Sequence, residues 1–323
     1  MMNSSKIHYS ITKHNMKKYI VLVLLAFQFG FAATPPPNFL KYLDDCDACG
    51  CSASGGGMGF SSMLNKNFVG LRYFNQSYTS RDGIFKNSPW IDENFNTIQV
   101  WARIPVFKNF QVSALVPYHF HNRELSTGEQ NISGLGDITV LGLYTVYQTQ
   151  KDSTVFVHTL QVGVGVKAPT GTYDAANKGS VNPSFQVGTG SWDYMLAAEY
   201  VIRHKDIGLN AMVNYTMKTE NQDHYHFGNQ FNYAATFFYQ IDASKFTIVP
   251  QAGLAGELYA TNKQYDEDVP DTKGDILFGK LGVEAGTGRF SVGVNGMLPI
   301  TQNLTGGRVE ANYRWSVNLN YSL

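Results

Sequence analysis

The chain has 323 residues and balances 25 Lys and Arg against 25 Asp and Glu, so its formal net charge is zero. No basic surplus argues for nucleic acid as a partner. Charge is sparse, while Gly, Tyr and Phe are abundant at 31, 19 and 21 residues.

At the N-terminus, Met16-Lys17-Lys18 precedes an apolar run from Tyr19 to Ala33. A basic start, an apolar core of that length and the small residues Gly30 and Ala32 describe a secretory signal peptide over 1–33, cut close to Ala32. Residues 1–15 read as an upstream extension. The run is shorter than the roughly 20 apolar residues a membrane helix needs, and no later stretch approaches that length. An exported chain of this kind is either a soluble β-sandwich or a membrane barrel whose strands satisfy one another's backbone.

Residues 34–66 differ from the rest. They hold Pro35–Pro37, three cysteines and the glycine run Gly55–Gly57. They read as a periplasmic extension or partial plug that leads into one barrel domain over 67–323. Cys46, Cys49 and Cys51 form a C-x-x-C-x-C cluster flanked by Asp44, Asp45 and Asp47. An oxidising periplasm favours a disulfide with one spare thiol. Three thiolates could instead hold a soft metal such as zinc or copper(I), and attachment to a periplasmic partner is a third reading.

From residue 67 the pattern alternates with period two, as strands do. Expected strands run over 67–78, 94–106, 109–121, 136–149, 154–168, 183–203, 206–218, 229–241, 245–260, 275–287, 289–300 and 309–323. The last is the clearest. Glu310, Asn312, Arg314, Ser316, Asn318 and Asn320 share one face, and Ala311, Tyr313, Trp315, Val317, Leu319 and Tyr321 the other. The polar face cannot be a packed core, so it is assigned to a lumen and the apolar face to lipid. Tyr313, Trp315 and Leu319 are expected outside; Asn312, Arg314 and Asn318 are expected inside. Aromatics at the ends of the apolar face suit interfacial girdles. Connections alternate between short turns, such as Phe107-Lys108 and His204-Lys205, and long ones at 79–93, 122–135, 169–182, 219–228, 261–274 and 301–308. That alternation marks short periplasmic turns and longer outer loops. In 183–203 the apolar parity flips at Gly188–Ser191, which a β-bulge would explain. The expected fold is an all-β, transmembrane, antiparallel up-and-down barrel of twelve strands in the outer membrane.

Several local motifs carry a resemblance. Gly134-Leu135-Gly136-Asp137-Ile138 opens a strand, and Gly165-Val166-Lys167-Ala168-Pro169-Thr170-Gly171 ends one. Pro183 and Gly188-Thr189-Gly190-Ser191-Trp192-Asp193 follow. In these residues the chain resembles the outer-membrane family named after the meta-pathway of phenol degradation. The resemblance covers the middle third well and implies a barrel that transports a solute, without specifying which. The cysteine segment departs from the family pattern.

On the lumen parity lie Arg72, Arg103, Lys167, Glu199, Arg203, Glu257, Lys280, Glu284, Glu310 and Arg314. Closure puts the last strand beside the first. Arg72, Arg103 and Arg314 are therefore expected to converge as a basic wall for an anion, with Glu284 and Glu310 nearby. Charged rings set selectivity in pores, but buried charges more often pair and fill space. His119-x-His121 and His224-x-His226 each place two imidazoles on one strand face, where they could share a transition metal. An outer-membrane lipid hydrolase would need a serine beside a lipid-facing histidine, yet His158 is followed by Thr159 and Leu160. The reading is therefore a channel or transporter for small solutes, apolar, aromatic or anionic, with outer-membrane lipid as its surroundings and no catalytic residues. A structural or metal-capturing barrel is the alternative.

Overall fold

The computed structural model describes residues 62–81, 87–149, 155–174 and 182–323. The signal segment and Cys46, Cys49 and Cys51 lie outside those residues.

The described residues form a closed antiparallel barrel of twelve strands. In chain order these are β1 (Phe68–Arg81), β2 (Trp90–Phe107), β3 (Phe110–Leu125) and β4, built from Gly128–Leu135 and Ile138–Gln148. Next come β5 (Val157–Ala168), β6 (Asp193–His204), β7 (Ile207–Lys218) and β8 (Gln230–Tyr239). β9 (Phe246–Tyr259), β10 (Gly274–Thr287), β11 (Phe290–Leu304) and β12 (Val309–Ser322) complete the set. Each strand pairs with its neighbours in sequence, and β12 returns to β1, with Leu319 opposite Leu71. Closure leaves no terminal strand unpaired, as a spanning sheet requires.

Alternation decides which way each strand faces. In β7, Leu209, Val213 and Tyr215 are exposed on the outer wall, while Asn210, Met212 and Asn214 are buried inside. Tyr313, Trp315 and Leu319 face outward, and Arg314 and Asn318 inward. Exposed aromatics flank the apolar band, with Phe156, Phe246 and Phe290 near the short turns and Tyr118, Trp192 and Tyr194 towards the long loops. His158 lies on this outer wall, and its Nδ1 is 2.7 Å from the Tyr200 hydroxyl. An aromatic-girdled, apolar outer surface on a closed barrel is that of an outer-membrane protein.

Three expectations change. First, the segment 122–135 is not a loop. β3 and β4 continue past the wall as a hairpin paired from Tyr118–Leu135 to Leu125–Gly128. Likewise 301–308 shrinks to the single turn Thr305–Gly307. Second, residues 183–192 are not the start of β6. Phe185, Gln186 and Val187 are buried inside the barrel, in a segment that leaves the sheet. The parity flip at Gly188–Ser191 is this departure, not a bulge. Third, a real bulge lies in β12. Ser77 pairs with Tyr313 and Tyr78 with Ala311, so Asn312 is the extra residue. One extra residue swaps the faces beyond it. Asn312 and Glu310 are exposed, whereas Ala311 and Val309 point inward at 2% and 3% exposure. Glu310 is therefore removed from the lumen.

Candidate functional site

The motif residues build a clasp. Asp137 interrupts β4, and Lys167 sits near the end of β5. Lys167 Nζ lies 2.6 Å from Asp193 Oδ2 and 3.2 Å from Asp137 Oδ2, and donates to Thr189 Oγ1 at 2.9 Å. Asp137 also accepts from the Gly171 and Thr189 backbone amides at 3.0 and 2.9 Å. One buried cation thus stands between two buried carboxylates, and the remaining lone pairs of Asp137 hold the backbone on both sides of the inserted segment. Gly188 meets Gly171 backbone to backbone: a Cβ on Gly188 would come within 2.5 Å of it. No larger residue permits that contact.

From the clasp the segment reaches across the lumen. Asn182 donates to Glu93 at 2.6 Å, and the Arg123 guanidinium covers the Phe185 ring at 4.2 Å. Arg123 also bonds Gln130 at 2.8 Å and approaches Glu93 at 3.4 Å. Phe185 packs edge-on against Phe95, 5.8 Å between centroids. The insert therefore fills one side of the outer lumen with an aromatic plug, held at both ends by buried charge.

The three arginines do not converge. Along β1, Arg103 is opposite Phe68, Arg72 is four residues higher, and Arg314 is opposite Gln76. At roughly 3.3 Å per residue, each step is about 13 Å. Each arginine also has its own partners. Arg72 bonds Gln99 and lies over Trp101 at 4.7 Å. Arg103 faces Glu199 at 3.5 Å. Arg314 grips Glu257 with two bonds of 2.6 and 3.0 Å, donates to the Tyr78 hydroxyl at 2.6 Å and covers the Phe278 ring at 4.2 Å. Parity put these residues in the lumen; pairing makes them cross-braces.

In register with Met297 and, through it, with Arg314, Lys280 donates to Thr236 at 2.9 Å. Glu284 accepts from Ser62 Oγ at 2.8 Å, the Met63 amide at 2.7 Å and Ser291 Oγ at 2.7 Å. Met63 and Leu64 pack there against Val201, Phe238 and Val249. The chain entering β1 is thus tied across the periplasmic end of the lumen.

The histidines separate into two environments. His119 and His121 are buried inside with ring centroids 4.9 Å apart. The Nδ1 of His119 is 2.8 Å from Thr97 Oγ1, and that of His121 accepts from the Asn96 amide at 3.1 Å. His224 and His226 lie in the outer loops, where His224 meets Glu220 at 2.6 Å. Among the described residues no group of three or more His, Cys, Asp or Glu is placed to share a metal ion.

Two features had no place in the sequence reading. One is a break in the wall. β11 and β12 pair from Phe290–Tyr321 to Met297–Arg314, and again only at Leu304–Val309. Between these pairs, residues 298–303 run opposite 310–313 without a ladder. Pro299 has no N–H to donate, and the Asn312 bulge removes the register. The Gln302 side chain spans the space, accepting from the Ala311 amide at 2.7 Å and donating to its carbonyl at 3.2 Å. An outward-facing hollow lies over this break, lined by Leu281, Leu298, Pro299, Ile300, Tyr313 and Trp315, with Lys280 and Arg314 behind them. A proline inside an expected strand was the available signal.

The other feature is a cavity at the outer end of the lumen. Tyr78, Phe95, Phe227, Tyr259, Leu304 and Lys218 are among its lining. Residues Tyr225–His226, Lys263–Gln264 and Glu267–Asp268 form a small three-stranded sheet beside it. Asn262 ties this sheet together, accepting from the Gly228 amide and donating to the Tyr225 hydroxyl, both at 2.7 Å. Burial pushes the Tyr225 phenol up to about 12, so it stays neutral.

No curated protein matches the chain. Among solved structures, the COG4313 outer membrane channel from Pseudomonas putida F1 is similar with a TM-score of 0.58 at 14% identity, covering 79% of this chain and 94% of that one. The transport unit of the autotransporter AIDA-I from Escherichia coli gives 0.47 at 11%, covering 79% and 90%. The NanC porin gives 0.42 at 12%, covering 78% and 100%. At these identities only the barrel fold is shared. The family model described as "Putative MetA-pathway of phenol degradation" matches residues 95–315, more than half of the chain, and the chain belongs to that family.

Proposed function

We propose that this protein is an outer-membrane channel for small apolar or aromatic solutes, which enter the outer cavity and leave sideways through the break between β11 and β12. The observation that carries the reading is the missing ladder between Met297–Arg314 and Leu304–Val309. A straight aqueous path is poorly supported. Below the cavity the lumen is crossed by the Arg314–Glu257 pair and by Phe278 and Met297, both at most 1% exposed. Farther down, Met63 and Leu64 are tied over the periplasmic end. The wall break is lined by apolar groups facing lipid, and among the described residues the Gln302 side chain alone bridges it. An apolar solute gains by moving from such a lining into hydrocarbon.

A reversible staple tests this. In a background with Cys46, Cys49 and Cys51 replaced by Ser, Gln302→Cys and Ala311→Cys are oxidised to a disulfide, and naphthalene uptake into whole cells is followed. Uptake should fall to that of cells lacking the protein and return on reduction. Equal uptake by stapled and reduced protein would refute the sideways route. Uptake no faster than in cells lacking the protein, in either state, would refute the channel itself.

A further inference from the structure

We infer that the outer cavity is a binding site for a single-ring aromatic bearing a carboxylate, with the carboxylate on Lys218 Nζ. This rests on the channel reading and names a solute class for it.

Lys218 ends β7 on the inward parity of Asn214 and Thr216, so the period of the strand aims it into the barrel. It lines the cavity together with Tyr78, Phe95, Phe227 and Tyr259. Its ammonium lies 5.7 Å from the centroid of the Phe227 ring.

Charge pairing then singles it out. Lys167 lies between Asp137 and Asp193, Arg103 faces Glu199, Arg123 faces Glu93, and Arg314 holds Glu257. Lys218 Nζ has no ion pair and no hydrogen bond among the described residues. The nearby carboxylates are committed elsewhere. Glu257 serves Arg314 and the Tyr259 hydroxyl, and Asp193 serves Lys167 and Ser191. A cation half-buried against aromatic rings and lacking an anion is costly unless something supplies one. Water can do so; a carboxylate would do so with a charge-assisted bond.

The walls specify the rest of the ligand. Phenyl and phenol rings from β1, β2, β9 and the outer loop surround the space, and aromatic groups pack well there edge-on or offset. Asn182 and Asn262 add polar contacts at the rim. A molecule with one ring and one ionised group matches both halves of the site.

The test is equilibrium binding to the full-length protein in detergent micelles by calorimetry, with micelle blanks subtracted. Benzoate, benzyl alcohol and acetate are the probes. Benzoate should bind at least tenfold more tightly than either of the others, the range expected for a bond to a charged group. Lys218→Gln should lower benzoate affinity to that of benzyl alcohol. Phe227→Ala should weaken both aromatic probes. Lys245→Gln, on an exposed periplasmic turn, should change nothing. Equal affinity of the wild-type protein for benzoate and benzyl alcohol, or for benzoate and acetate, would overturn the inference without any variant. So would full benzoate affinity in Lys218→Gln protein whose heat-dependent gel mobility shows a folded barrel. The readout is binding and not passage, so a failed uptake assay would count against the channel reading and leave this result standing.

Discussion

Arg314 and Glu257 offer the sharpest test of how the lumen is held. Both side chains are almost fully buried, and they share two bonds of 2.6 and 3.0 Å. Removing one partner leaves an uncompensated charge in the barrel, a loss of about 3–5 kcal/mol for a buried pair. Arg314→Met strands Glu257, whose neighbour Tyr259 already donates to it. Glu257→Gln strands Arg314 over Phe278 and Tyr78. The double variant Arg314→Met/Glu257→Gln strands no charge, so its stability should return to within about 1–2 kcal/mol of the wild type, given that apolar replacement of buried pairs is often near neutral. Reversible urea unfolding in detergent micelles, followed by tryptophan fluorescence, measures all three. The coupling should be at least about 2 kcal/mol, well above the scatter of independent sites. Additive losses in the double variant would show that the pair is not a brace. Losses below about 1 kcal/mol in both singles would show that water reaches these charges freely, and the filled-lumen description would fail.

Two further perturbations follow from the same geometry. Lys167→Met leaves Asp137 and Asp193 facing each other without a cation; it should cost about 3–5 kcal/mol and free the segment 182–192, seen as protease cleavage there in a barrel that still shifts on gels. An intact segment would refute the clasp. Glu284→Gln weakens the anchor that holds the Ser62, Met63 and Leu64 groups; it should speed protease removal of the N-terminal segment severalfold at unchanged barrel stability, and an unchanged cleavage rate would show that packing of Met63 and Leu64 alone suffices.

The barrel was legible in the sequence because lipid imposes its rule residue by residue. Every outward position in β7 and the lower half of β12 must be apolar, so period two survives reading. The bulge was not legible. Asn312 shares its parity with the polar Glu310 and Arg314, and Ala311 is small enough for either face, so composition does not reveal where the faces swap. The inserted segment was misread for a related reason. Phe185 and Val187 are apolar because they fill the lumen, not because they face lipid. The arginines show the limit of parity itself. It assigns a face, while height along the wall is fixed by register, which depends on the turns and on closure between β12 and β1. The motif residues around Asp137, Lys167 and Asp193 stood out as a resemblance, but their common role appears only when three chain segments meet.

A barrel of twelve strands is wider than apolar side chains alone can fill, and this one fills its lumen with long polar groups and an inserted loop. On the proposed route, that choice sets which exit is cheaper. Passage straight down requires the Arg314–Glu257 brace to part, at a cost of about 3–5 kcal/mol for a buried pair, and then requires the tied N-terminal segment to move. Passage sideways requires Gln302 to release two neutral bonds, each with a net worth of about 0.5–1.5 kcal/mol. Backbone pairing would ordinarily make a wall the hardest place to open, because every strand residue adds a rung. Pro299 and the Asn312 bulge have removed those rungs over 298–303 and 310–313. On the proposed route the weakest barrier around the outer cavity therefore lies in the wall, where, among the described residues, the Gln302 side chain stands in for the missing ladder.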